Sequence, residues 1–260
     1  MALENDPKEQ PLISHLVELR DRILRCLLVV GIIFLCLFPF ANDIYTFVAT
    51  PLLNVLPDGA QMIATQVTSP FFAPFKLAFF TAVLISVPFL LHQLWAFIAP
   101  GLYKNEIKTA FPILISSIIL FYLGIAFSYF IVLGFIFGFF TSVAPDGVAI
   151  MTDINEYLNF VLLMFFAFGL TFEIPIATIL LIISGATTPE KLTKKRPYVV
   201  IGCFVAGMLL TPADPFSQSM LAIPMWMLFE AGVIAGKIIY KKDEEDESDD
   251  VEEKEGNEEV

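Results

Sequence analysis

Four apolar runs, at residues 23–41, 77–99, 110–140 and 157–185, dominate the sequence. The hydrocarbon core of a bilayer, about 30 Å thick, takes roughly 20 apolar residues as helix, so each run reads as a crossing. Inside lipid every backbone polar group must find its partner within the protein, and a helix does this within one segment. The runs therefore predict an all-α integral membrane protein. Composition agrees, with 57% hydrophobic and 16% charged residues and a mean hydropathy of +0.76, outside the range of a soluble domain.

A last apolar region, 199–240, is broken by Thr211-Pro212-Ala213-Asp214-Pro215, which is turn chemistry. The basic residues decide how the chain treats it. Lys8, Arg20, Arg22 and Arg25 surround the first entry; Lys104 and Lys108 lie between the second and third runs; Lys191, Lys194, Lys195 and Arg196 follow the fourth; Lys237, Lys241 and Lys242 follow the last. Under the positive-inside rule all four clusters face the cytoplasm. The opposite segments, 42–75, 141–156 and 211–215, hold no Lys or Arg. A chain that leaves after Arg196 and is back by Lys237 crosses twice, so 197–210 and 216–236 are expected as two short spans. The expectation is a six-helix transmembrane domain over 1–240, with both termini cytoplasmic. Segment 42–75 mixes Pro51, Pro57, Gly59, Pro70 and Pro74 with Ile44, Tyr45, Phe47, Val48, Leu52, Leu53, Phe71 and Phe72, which predicts an ordered cap on the membrane surface.

The net charge of −12 is not spread along the chain: residues 243–260 hold twelve of the 27 acids and a single lysine. Such a segment has nothing to bury, and 241–260 is expected to be a disordered, solvating tail. Cys26, Cys36 and Cys203 lie inside apolar runs without CxxC spacing, so neither a disulfide framework nor a zinc site is expected. The polar first dozen residues and the lack of a small-residue cleavage pattern make the first run a retained span. No phosphate-binding loop, dinucleotide turn or HExxH is present, and His15 and His92 are the only histidines. These absences point away from an enzyme, a cofactor, a metal or a nucleic-acid partner.

Polar chemistry concentrates at few places. Leu12, Leu16, Leu19 and Ile23 share one helical face, making 12–23 an amphipathic lead-in to the first span. Its other flank sets Glu18 four residues before Arg22 and Asp21 four before Arg25. Local ion pairs worth about 0.3–0.5 kcal/mol each are one reading of that spacing. The other is that Glu18 accepts a cation from elsewhere. Glu106, in the short link between the second and third spans, falls on the same side; two such carboxylates could bind two guanidinium groups bidentately, as an ammonium cannot. Glu173 lies near the middle of the fourth span, where a carboxyl costs about 2.5 kcal/mol or more unless neutral, paired or near water, and so marks a polar cavity or path. In the last spans, Asp214 and Ser217 suit a helix start, while Gln218 could bond a partner helix for about 1 kcal/mol.

Taken together, His15-Leu16-Val17-Glu18-Leu19-Arg20, Phe97-Ile98-Ala99-Pro100-Gly101-Leu102-Tyr103 with Glu106, Ala167-Phe168-Gly169 through Phe172-Glu173-Ile174-Pro175, and Lys194-Lys195-Arg196-Pro197-Tyr198 followed by Leu210-Thr211-Pro212 and Asp214 resemble TatC. That family is the multi-spanning receptor subunit of the bacterial twin-arginine translocase. The resemblance runs from about residue 11 to 240. It implies a glove-like six-helix fold in the inner membrane and capture of paired-arginine signal peptides of folded proteins. It also implies a hetero-oligomer with the single-span TatA and TatB, driven by the proton-motive force. Carried over by residue, Glu18 and Glu106 would contact the arginine pair, with Arg20 and Phe97 shaping the site, and Pro51 would order the outer cap. Glu173 would line the concave intramembrane face, and Met208, Thr211, Asp214 and Gln218 would hold a partner helix. The acidic tail lies outside the resemblance.

Two other functions fit a chain of this composition. A proton-coupled small-solute transporter would use Glu173 as its relay, but transporters commonly carry internal repeats with paired broken helices, and no repeat is visible here. A membrane scaffold without a recognition site of its own would be indifferent to charge reversal at Glu18 except in stability.

Overall fold

The lead-in and the first apolar run form one helix, α1 (Glu9–Leu37). The helical path then continues through a 3-10 turn at Phe38–Phe40, opened by Pro39, into α2 (Ala41–Leu53). The computed structural model describes residues 9–54, 62–98, 107–143, 151–210 and 215–258. Within them follow α3 (Ser69–Ile98), α4 (Ile107–Phe127), a π-helical turn (Ser128–Val132), α5 (Leu133–Val143), α6 (Ile154–Thr171), α7 (Ile174–Ile183), α8 (Pro189–Lys194), α9 (Arg196–Leu210) and α10 (Pro215–Glu258). Five stretches are long and apolar enough to cross a membrane: His15–Leu53, Ser69–Phe97, Phe111–Val143, Ile154–Ile183 and Gln218–Ile239. Arg196–Leu210 is a shorter apolar helix. The all-α expectation and the order of the spans hold, and no strand is present among the described residues beyond one isolated bridge.

The boundaries differ in instructive ways. The first helical stretch extends well past 23–41 at both ends, because the lead-in is itself helical and α2 resumes after a single 3-10 turn. The fourth span is interrupted, since Pro175 has no N–H to give the Thr171 carbonyl four residues back. α6 therefore ends at Thr171 and α7 begins at Ile174, with Phe172 and Glu173 between. The span closes at Ser184, followed by Gly185 at φ 69°, the left-handed helix stop that glycine adopts without Cβ strain. The backbone of α10 continues to Glu258, through the stretch expected to be a disordered tail.

The chain forms two compact units. In the first, built on Met1–Ile118 and Tyr129–Leu162, α1 packs along α3, and α2 packs on α3 and α5. Pro51 sits inside α2, where its missing N–H leaves the Phe47 carbonyl without its intrahelical donor. The Tyr129 hydroxyl fills that gap, donating to Phe47 O at 2.8 Å while the two rings stack at 5.1 Å. The Tyr157 hydroxyl donates to the next carbonyl, Val48 O, at 2.7 Å. Two tyrosines thus pin α2 by its backbone. Nearby, Ile63 N donates to Thr152 O at 3.0 Å and Ile154 N to Ile63 O at 2.9 Å, and Asp153 accepts from Thr65 N at 2.8 Å and Thr65 Oγ1 at 2.6 Å. These bonds hold α2 and the described residues 62–65; the rest of the expected cap, 55–61, lies outside the described residues.

The second unit comprises Ile119–Ser128 and Leu163–Val260. Here α10 packs on α7, α8 and α9. Gly232 and Gly236 form a GxxxG pattern, which lets helix backbones approach in lipid. A Cβ at Gly232 would lie 2.7 Å from Pro175 Cα, and one at Gly236 would collide with the Ile182 side chain. At the start of α9, Arg196 donates from Nε to Glu230 Oε2 at 3.0 Å and from Nη2 to Glu230 Oε1. This two-pronged pair fixes the entry of the short fifth span against α10.

Candidate functional site

The N-terminal part of α1 meets the C-terminal end of α3, and of the expected site residues Glu18 and Phe97 come together there. Glu18 lies on α1 at the end of the amphipathic lead-in. Arg22, one turn on, donates from Nη2 at 2.5 Å and from Nε at 3.1 Å to Glu18 Oε1. The same guanidinium reaches α3, donating from Nη1 to Gln93 Oε1 at 3.2 Å and from Nη2 to Ala96 O at 3.0 Å. The i,i+4 pair expected from spacing is therefore real, and it also ties two helices together. His15 completes the group: its ring stacks on Phe97 with centroids 4.1 Å apart and planes 16° from parallel. Its Nδ1 lies 3.9 Å from Glu18 Oε2.

Asp21 behaves differently from expectation. Its carboxylate is held by the adjacent Arg20, whose Nε and Nη2 donate at 2.9 and 2.8 Å, instead of pairing with Arg25. Both groups are largely exposed, so the closest cation takes it. Beside them, a cleft of about 350 Å³ is lined by Val17, Glu18, Asp21, Arg22 and Arg25. The chemistry available is cation recognition in a partly covered setting: a carboxylate oxygen, an amide oxygen and a backbone carbonyl aimed at one guanidinium, flanked by an aromatic pair.

Of the other expected site residues, Glu106, Thr211 and Asp214 lie outside the described residues. Phe97 is half-buried under His15, and Arg20 is exposed on the opposite flank of α1. Glu173 is half-buried at the α6–α7 junction: its N–H donates to Leu170 O at 3.1 Å, and its carbonyl accepts from Ala177 N at 2.9 Å. Met208 is 51% exposed on α9. The Gln218 amide donates to Phe204 O of α9 at 2.8 Å, so the hydrogen bond considered for a partner helix is made within the chain. An apolar groove of about 540 Å³ lies nearby, lined by Leu170, Ile174, Val199, Cys203, Ala206 and Met225 among others.

Sequence reasoning missed Gln93 and the stacking role of His15. A lone amide in the last turn of an apolar span, four residues before Phe97, was the available signal for Gln93. His15 gave none beyond its position, because its partner is 82 residues away in the chain.

Comparison with known proteins places these features in a family. The family model described as "Sec-independent protein translocase protein (TatC)" matches residues 14–224. The Sec-independent protein translocase protein TatC of Azotobacter chroococcum is 54% identical over 95% of this chain and 97% of its own. The protein of the same description from Escherichia coli strain K12 is 55% identical over 90% of each. A solved structure described as the twin-arginine translocase receptor TatC matches with a TM-score of 0.76 at 34% identity, covering 86% of this chain and 98% of that one. With a match across most of the chain, in the same helical order and through both units, this multi-pass membrane protein belongs to the TatC family of Sec-independent protein translocase components.

Proposed function

We propose that the chain is the receptor and core subunit of a twin-arginine translocation system. In this reading it sits in the bacterial inner membrane with both termini cytoplasmic, binds the paired arginines of signal peptides on folded cargo, and nucleates proton-motive-force-driven export with TatA and TatB. One observation carries the reading most directly: Glu18, at the mouth of α1, already holds a guanidinium on one oxygen, while its second oxygen faces the His15–Phe97 stack. That arrangement suits an arginine, which needs a planar multi-point acceptor set and stacks on rings. The concentration of Lys and Arg at four chain positions supports the cytoplasmic placement of this end. Glu106 supplies the second carboxylate, Arg20 and Phe97 shape the site, and Pro51 orders the cap. Met208, Thr211 and Asp214 contact the partner helix, while Gln218 holds α10 on α9 beside them, and Glu173 lines an intramembrane polar surface.

The test is photocrosslinking to the chain from a probe carried by the signal peptide beside its Arg-Arg or Lys-Lys pair, in the same apolar context. Strong label with Arg-Arg and loss with Lys-Lys is expected. Equal label from the two peptides, or label that survives Glu18→Ala with Glu106→Ala in a normally inserted protein, would remove the reading. A solute-transport role at Glu173 would instead require uptake by the purified chain alone in liposomes.

A further inference from the structure

Four hydrogen bonds from one guanidinium converge where α1 meets α3. Arg22 gives two to Glu18 Oε1, one to Gln93 Oε1 and one to Ala96 O. The acceptors come from three different groups on two helices, and together they surround the edge of a planar cation. A lysine ammonium presents its donors from a single point and cannot reach the same set. The cage is partly covered: the Arg22 side chain is 20% exposed and that of Glu18 42%, and Gln93 is buried.

An ordinary helix-surface ion pair needs none of this. Glu18 and Arg22 at i,i+4 would pair on an isolated helix, with the guanidinium free to sample water. Here the guanidinium is drawn across to α3, so the site's main anion is already engaged before any outside cation arrives. A peptide arginine that uses Glu18 must therefore share it with Arg22 or displace Arg22. Sharing is disfavoured by charge, since the segment from Glu18 to Arg25 already holds three arginines against two acids. Displacement has somewhere to send the side chain: the cleft beside it is lined by Asp21 and Arg25 as well as Glu18 and Arg22.

We propose that Arg22 is a built-in stand-in for one arginine of the incoming pair, and that recognition is an exchange. In the free receptor Arg22 keeps the cage assembled and filled. A peptide guanidinium then takes over the acceptors on Glu18, Gln93 and Ala96 while the Arg22 side chain moves out into the open cleft beside α1. This rests on the receptor reading above and adds a specificity-determining residue to it. Any ligand of the cage must replace an arginine that fits it, and a cation making fewer hydrogen bonds does so poorly.

The test measures equilibrium binding of a fluorescent synthetic Arg-Arg signal peptide to the full chain in lipid nanodiscs at one fixed salt concentration. Arg22→Gln empties the cage and should tighten binding about tenfold. Arg22→Lys, which keeps the charge and safeguards folding, should tighten it a few-fold, because an ammonium leaves the cage more readily. Lys191→Gln removes one positive charge from an exposed position that belongs neither to the cage nor to the cleft, and should change binding less than about twofold. Weaker or unchanged binding in both Arg22 variants would overturn the exchange and make Arg22 a mere anchor. Equal gains from Arg22→Gln and Lys191→Gln would overturn it in favour of bulk charge. Glu18→Gln tests the underlying reading separately: full binding by that variant would remove Glu18 from recognition, whatever Arg22 does.

Discussion

Asp153 gathers four donors on one carboxylate: the N–H and hydroxyl of Thr65, and the N–H groups of Asn155 and Glu156 at 2.8 and 3.2 Å. Hydrogen bonds to the charged form, led by the Thr65 hydroxyl, hold its pKa down at about 2 against an ordinary 3.8. A carboxyl with a lowered folded pKa stabilises the fold above its unfolded value and loses that contribution as the pH falls through the folded value. The clasp between 62–65 and 151–155 should therefore be intact above about pH 4, loosen as the pH drops toward 2, and open below. The protection of the Thr65 amide, its exchange rate divided into the intrinsic rate at each pH, reads this in detergent across that range. Asp153→Asn should show low protection at every pH and no pH step. A step that persists in the variant would mean that another group drives it.

Helix packing in the second unit depends on close approach, and α10 carries the means in Gly232 and Gly236. Packing in lipid has no water to expel, so van der Waals contact and small residues decide it. Gly232→Val would drive a branched side chain into the α7 backbone, where a Cβ would already lie 2.7 Å from Pro175 Cα. Overpacking of this kind costs typically 1–3 kcal/mol, and the thermal midpoint in detergent should fall by several degrees. Gly202→Ala on α9, where a Cβ would meet nothing within 4 Å, should leave the midpoint nearly unchanged.

The same two glycines show what the sequence could and could not reveal at this scale. Hydropathy picks out all five stretches long and apolar enough to cross a membrane and the shorter apolar helix Arg196–Leu210, because membrane thickness and backbone satisfaction act on composition alone. The spacing of Glu18 and Arg22 was legible because i,i+4 pairs are local. Partners far apart in the chain were not: Tyr129 to Phe47, Arg196 to Glu230 and His15 to Phe97 follow from how helices pack, which no single-chain periodicity records. The 3-10 turn at Phe38–Phe40 was hidden too, since three apolar residues look alike in either helix type.

For the whole molecule, the unequal lengths of the spans matter most. Ser69–Phe97, Phe111–Val143 and Ile154–Ile183 hold 29, 33 and 30 residues, more than a bilayer core of about 30 Å requires, so they can tilt or project. Arg196–Leu210 has 15 residues, about 22 Å at 1.5 Å per residue. The short helix cannot be lengthened by tilting, and Arg196 is tied to Glu230 at one end, so as a crossing it is expected to thin the bilayer around it. Each ångström of mismatch costs a fraction of a kcal/mol. Stability should therefore peak in lipids with shorter acyl chains than those optimal for the long spans alone. Thermal unfolding in a series of phosphatidylcholine nanodiscs of increasing chain length tests this. The expected optimum lies on the thin side, and inserting four leucines after Val205 should move it toward thicker bilayers. An optimum that stays in place after the insertion would show that the fifth span does not set the local thickness.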